Sequence, residues 1–206
     1  NENDKRLCKR WCDQVMQIEQ FFPTNISNSF CPFHNEIKER LINHCFSISK
    51  TIKKSDNIFQ NNGQLYTTYG THDILLDEKF ERLNNWIKEE VKKYVDTLRM
   101  KVNLKYEGHA FFNIYKKHDY QETHDHAGSM ISCIYFLKSN EKSSRVFFKS
   151  RMYDNIEHDS SNPPTGNVWF ESQPGKLLIF RSYVQHFVEQ HLDEEERISL
   201  AYNFKS

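Results

Sequence analysis

The spacing of apolar positions divides the chain near residue 105. Between 77 and 100, Phe80, Leu83, Ile87, Val91, Tyr94 and Leu98 recur at three- and four-residue steps. They fall on one side of a helix and predict an amphipathic element with one buried stripe. Asp77 stands where its carboxylate can accept hydrogen bonds from the free amides of the first turn. A less regular stripe predicts a helix over 35–49, and 5–22 reads either as a helix or with a strand within 15–21. Beyond 102 the spacing changes to short β-like runs at 109–115, 130–137, 145–148, 167–170, 176–181, 186–190 and 197–204. Turn chemistry separates them, at Gly128-Ser129, Ser139-Asn140, Asn162-Pro163-Pro164 and Pro174-Gly175. Short strands at this interval predict a mainly β fold, a sandwich or jelly roll, with helices packed outside. The expected organisation is one compact domain: a helical support region over 1–104 and a β core over 105–206.

Composition then removes alternatives. With 206 residues the chain can bury a single sizeable core. Its 28 basic and 28 acidic residues cancel, so no global field favours nucleic acid or an anionic membrane. The five cysteines (Cys8, Cys12, Cys31, Cys45, Cys133) follow no zinc spacing and read as reduced thiols. No apolar run reaches 18 residues, and the polar start NENDKRLCKR is unlike a signal peptide. The expected setting is cytoplasmic, without a nucleic-acid or membrane partner; the sequence does not specify an oligomeric state. The Asn-rich stretch 57–64 reads as a solvated loop, and the polar run 153–166 fits either a lid or a plain surface loop.

Candidate chemistry concentrates in E-T-H-D-H at 122–126. On a strand, residues two apart project to one face, so His124 and His126 would point together and Asp125 away. A third metal ligand must come from elsewhere, and His186 opens a β-like run after the apolar stretch 177–180. Eleven residues further on, Arg197 opens R-I-S-L-A-Y-N-F and shares a face with Ser199. A guanidinium aimed into an apolar barrel is costly unless a carboxylate meets it two-pronged, with a hydroxyl adding a third bond. The spacing therefore suggests a metal with an anionic organic ligand beside it. Among the other histidines, His34, His44, His109, His158 and His191 read as structural or surface residues, and His118 as part of a surface loop. His72, in T-H-D, is a candidate for a substrate entrance. Asn113 and Asn203 lie on presumed core strands, where each either bonds structurally or lines the site; Trp169 and Phe170 read as sheet packing.

An H-x-(D/E/H) pair, a distal His and then R-x-S resembles the 2-oxoglutarate/Fe(II) oxygenase superfamily. Residues 110–204 are similar to its prolyl-hydroxylase-like branch. S-C-I-Y-F-L-K at 132–138 resembles the strand after the metal motif in hypoxia-sensing prolyl hydroxylases. Taken with L-L-I-F-x-S and R-I-S-L-A-Y-N-F, the chain looks most like a family of 2OG-Fe(II) oxygenases from bacteria and phages, mostly without assigned substrates. The resemblance covers roughly half the chain and implies a double-stranded β-helix. It also implies a dioxygenase using Fe(II), O2 and 2-oxoglutarate, with ascorbate as a further candidate, that releases succinate and CO2. Hydroxylation of an amino-acid, peptidyl or small-molecule substrate is the default outcome. His124 and His186 would be ligands, and Arg197 would take the distal carboxylate, helped by Ser199 and Tyr115, with Asn113 nearby. Phe136 falls where relatives often place a tyrosine bonded to that carboxylate. The family's second ligand is usually a carboxylate, whereas here position 126 is His, with Asp125 as the alternative ligand or an outer partner to an imidazole. Two other functions stay open. One is a cupin-like three-His metalloprotein that does not use 2-oxoglutarate; the other is a non-catalytic binding module on the same fold.

Overall fold

The computed structural model describes residues 24–56, 64–150 and 167–205. In chain order these form β1 (Ile26–Phe30), α1 (His34–Thr51), β2 (Tyr66–Thr67) and α2 (Glu81–Thr97), which a 3-10 turn at Glu78–Phe80 precedes. Then come β3 (Lys105–Tyr115), β4 (Gln121–His124), β5 (Ile131–Lys138), β6 (Val146–Lys149), β7 (Asn167–Phe170), β8 (Lys176–Arg181), β9 (His186–Val188) and β10 (Arg197–Lys205). Each run predicted beyond residue 105 forms a strand, and both predicted stripes form helices. Residues 5–22, 57–63 and 153–166, for which a helix or strand, a loop and a lid were considered, lie outside the described residues, as do Cys8, Cys12 and His158. No helix among the described residues is long and apolar enough to cross a membrane. Cys31, Cys45 and Cys133 are buried free thiols.

The strands pair antiparallel into two sheets, a six-stranded one in the order β1-β8-β5-β10-β3-β2 and a four-stranded one in the order β4-β9-β6-β7. This is the double-stranded β-helix. The first hundred residues supply edge strands β1 and β2 to the larger sheet as well as helices. At the crowded crossing of β3 and β10, Gly108 faces the backbone of Asn203, where an added Cβ would lie only 1.9 Å from the carbonyl oxygen.

Period-two alternation assigns the two faces of the larger sheet to different work. Ala110, Phe112 and Ile114 of β3, Cys133, Tyr135 and Leu137 of β5, and Leu200, Tyr202 and Phe204 of β10 pack against α1 and α2. The helices answer with Ile37, Leu41, Cys45 and Ile48, and with Leu83, Ile87, Val91 and Tyr94. Burying each large side chain of this kind contributes about 1.5–3 kcal/mol. Asp77 caps as predicted: its Oδ1 accepts from the Lys79 amide at 3.0 Å. Its Oδ2 meets His44 Nε2 at 2.7 Å and His72 Nε2 at 3.1 Å. The opposite set, including Ile134, Phe136, Leu178 and Phe180, packs against Val146, Phe148 and Val188 of the smaller sheet. The functional groups lie in that space.

Candidate metal centre and active site

Strand pairing places the first two histidines. His124 ends β4 directly opposite His186, which opens β9, and their ring centroids are 4.3 Å apart. His126 joins them by a different device from the strand alternation expected for it. β4 stops at His124, and the chain turns. The His126 amide donates to the Ser182 carbonyl at 2.9 Å, and its own carbonyl accepts from the Ser129 amide at 3.1 Å. The pleat therefore does not hold this pair; a tethered turn does. The His126 ring sits 5.2 Å from His124 and 5.0 Å from His186. One nitrogen from each ring can be chosen so that all three lie within 4.8 Å of one another. Asp125 is not in that group.

The chemistry of this donor set suits a transition metal. Nδ1 of His124 is 2.7 Å from the Glu122 carbonyl and Nδ1 of His186 is 3.0 Å from the Val184 carbonyl. Each Nδ1 thus carries the proton, leaving Nε2 with its lone pair for an ion. Burial lowers the pKa of all three rings, and their mutual repulsion adds to this at His126 and His186. His126 is pushed down to about 3 and His186 well below its ordinary value. Neutral imidazoles are the form that binds metal.

Arg197 lies on the floor of the same cleft, fully buried. Its Nε donates to Ser172 Oγ at 2.9 Å, and that hydroxyl donates in turn to the Ser144 carbonyl at 2.6 Å. The guanidinium carbon is 4.4 Å from the Tyr115 ring centroid and 5.2 Å from that of Phe136. Among the described residues its two terminal nitrogens make no hydrogen bond of ordinary geometry, although the Tyr115 hydroxyl lies close enough to favour the charged form. Glu189, whose charge reaches Arg197, is already engaged two-pronged by Arg145, at 2.8 and 2.9 Å. Burial lowers the Arg197 pKa, but a guanidinium stays charged inside a protein. A buried cation with a free two-pronged edge fits an organic carboxylate.

Tyr115, Asn113 and Ser199 line this cleft with the three histidines, Gln121 and Phe111. They surround a narrow cleft in which a water-sized molecule finds only about 20 Å³ of room. Tyr115 donates its hydroxyl to Gln121 Oε1 at 3.0 Å, and Asn113 Oδ1 is buried without a partner. Phe136 is fully buried and offers Arg197 only a ring face. Asn203, by contrast, is structural: its Oδ1 accepts from Ser132 Oγ at 2.7 Å, and Ser132 also bonds Ser182 Oγ at 2.8 Å. His191, fully buried, bonds the Glu195 carbonyl and the Ser144 amide. His72 lines a neighbouring hollow. Sequence reasoning missed Ser172, Ser182 and Gln121. No motif marks the two serines, while Gln121 lies three residues before His124, at the head of the same strand.

Comparison with known proteins agrees with this geometry. Residues 109–203 match the family model described as "Putative 2OG-Fe(II) oxygenase". No curated protein matches in sequence. A prolyl-4-hydroxylase from Pseudomonas putida superposes with a TM-score of 0.61 at 15% identity, over 88% of this chain and 92% of that one. A Trichoplax adhaerens prolyl hydroxylase, in complex with a hypoxia inducible factor oxygen degradation domain peptide fragment, gives 0.60 at 11% identity, over 87% and 83%. HygX from Streptomyces hygroscopicus, with nickel, 2-oxoglutarate and hygromycin B bound, gives 0.58 at 13% identity, over 88% and 83%. The structural likenesses carry the fold, and over residues 109–203 the chain is similar in sequence to the 2OG-Fe(II) oxygenases that the family model describes.

Proposed function

We propose that the protein hydroxylates an amino-acid, peptidyl or small organic substrate, with His124, His126 and His186 holding Fe(II) and Arg197 holding 2-oxoglutarate. The observation that carries this is a fully buried guanidinium with two unpartnered nitrogens in the same cleft as three neutral imidazoles. In the overall reaction, substrate C–H, O2 and 2-oxoglutarate give substrate C–OH, succinate and CO2. The bound iron supplies the oxidising chemistry; the chain's residues do the rest. The Glu122 and Val184 carbonyls fix the His124 and His186 rings through Nδ1. Ser172 orients the Arg197 fork, Ser199 stands two residues away on the same face to offer a hydroxyl, and Tyr115 and Phe136 exclude water from the fork. A dry, preorganised site of this kind keeps the cosubstrate from reacting unproductively.

The third imidazole, where the family usually has a carboxylate, specifically favours a second reading, a three-His metalloprotein that uses no 2-oxoglutarate. One experiment separates the two. Under anaerobic conditions, Fe(II) should raise the melting temperature, and 2-oxoglutarate should raise it further by mass action. Arg197→Ala should abolish only the second increment. If metal stabilises the wild type and 2-oxoglutarate adds nothing, the second reading stands. Substrate-dependent succinate release then measures turnover. The Trichoplax neighbour's bound peptide makes peptides part of the first substrate panel.

A further inference from the structure

A second hollow adjoins the metal cleft, lined by Gly70, Thr71, His72, Asp73, His109, Ala110 and Phe111 and holding about 520 Å³ open to solvent. Phe111 lines both spaces, and His109 is near enough for its charge to bear on His126. Tyr69 meets His109 at 5.2 Å and Phe111 at 5.0 Å, edge-on to both, while His109 and Phe111 are nearly parallel. Perpendicular rings of this kind make an aromatic corner. Beside it stands one carboxylate. Asp73 spends Oδ1 on the Leu75 and Ala110 amides, at 2.9 and 3.1 Å, which holds the 70–74 loop against β3. Among the described residues its Oδ2 accepts no hydrogen bond, while its charge already acts on the His109 ring. No Lys or Arg lines the hollow, although Lys205 lies near enough to act on His109.

We infer that this hollow is the substrate subsite for an alkylammonium group, held between the free oxygen of Asp73 and the Tyr69–His109–Phe111 corner. An ammonium ion is drawn both to a carboxylate and to aromatic π-faces, and each attraction strengthens as water is displaced. An anionic or wholly apolar group would leave Asp73 uncompensated. Because Phe111 is shared, an ammonium seated here leaves the rest of its own chain directed toward the histidines. The substrate class is therefore an amine-bearing molecule, such as a lysine side chain, oxidised at carbon away from the nitrogen. This assignment rests on the oxygenase reading for its chemistry but not for its binding.

The test titrates the full chain, with and without Fe(II) and 2-oxoglutarate under anaerobic conditions, with blocked Nα-acetyl-lysine amide and its uncharged counterpart Nα-acetyl-norleucine amide. NMR shifts or calorimetry report the affinity. The lysine probe should bind at least tenfold more tightly than the norleucine probe. Asp73→Asn, which keeps the Oδ1 acceptor but not the charge, should erase that preference, and Tyr69→Ala should weaken lysine binding several-fold. Equal affinity for both probes, no binding of either, or an unchanged preference in Asp73→Asn overturns the subsite. Stabilisation by 2-oxoglutarate, measured on the same samples, reports separately on the oxygenase reading, and a cooperative ligand-free unfolding transition shows that Asp73→Asn is folded.

Discussion

The two faces of the larger sheet are built from alternate residues of the same strands and obey opposite rules. Toward the helices, β10 presents Ile198, Leu200, Tyr202 and Phe204, and its one side-chain polar atom there finds a partner. Tyr202 donates its hydroxyl to Asn84 at 2.9 Å, and Asn84 donates to the Ile74 carbonyl at 2.8 Å. Toward the smaller sheet, the same strand presents Arg197 and Ser199 to three crowded imidazoles, and the guanidinium keeps two unpartnered nitrogens. The first face is optimised for the folded state alone. The second carries groups that cost stability until an ion and an acid arrive, which is the usual signature of a site rather than a core.

Truncation on the helix face should break the comparison most heavily. Phe80→Ala empties a fully buried position beneath α2 and should cost about 3–5 kcal/mol in denaturant unfolding. The remaining folded fraction should keep its response to 2-oxoglutarate. Arg197→Met should do the reverse. It removes an unpaired buried charge, so ligand-free stability should hold or rise. The increment from 2-oxoglutarate, about 2.7 kcal/mol at a hundredfold excess over Kd, should vanish in a thermal-shift titration.

Smaller effects sharpen the contrast. Burial alone would raise the Asp77 pKa, but hydrogen bonds from His44, the Lys79 amide and His72 outweigh it and hold the carboxyl below its usual value. Because the folded pKa is the lower one, Asp77 stabilises the protein above about pH 4, and this contribution is lost as pH falls through the folded value. Asp77→Ala should cost about 1 kcal/mol at neutral pH, and the gap to wild type should close in acid unfolding curves. Phe136→Tyr, which adds a hydroxyl to the ring beside the Arg197 fork, should change 2-oxoglutarate affinity least. A gain of about 1 kcal/mol, roughly fivefold, is expected in a binding titration.

Much of the site could be read before any coordinates because its members sit in periodic contexts. The run from Arg197 alternates strictly, so Ser199 had to share its face; the stripe from Phe80 to Leu98 had to be a buried helix side. His126 shows the limit of that reasoning. Its ring does lie beside that of His124, but strand alternation is not the cause, because the strand ends at His124 and a turn tied to Ser182 brings the ring round. Ser172 was not legible at all. It lies in a turn 25 residues before Arg197, and nothing local distinguishes a serine that orients a guanidinium from one that faces water. β1 and β2 were missed because edge strands of five and two residues are too short to display a period.

By itself, then, the sequence determined which residues share a face, since alternation and helical stripes are properties of the local chain. It also supplied the types of chemistry available: imidazoles, one guanidinium and a nearby hydroxyl. Tertiary structure alone decided that the His124–His126 turn, His186 and Arg197 share one cleft. It left Arg197 without a carboxylate by committing Glu189 to Arg145, and set Phe111 between the metal cleft and the hollow that holds Asp73 and His109. Such proximities join residues far apart in sequence, and strand order and long-range pairing set them, which no local pattern encodes.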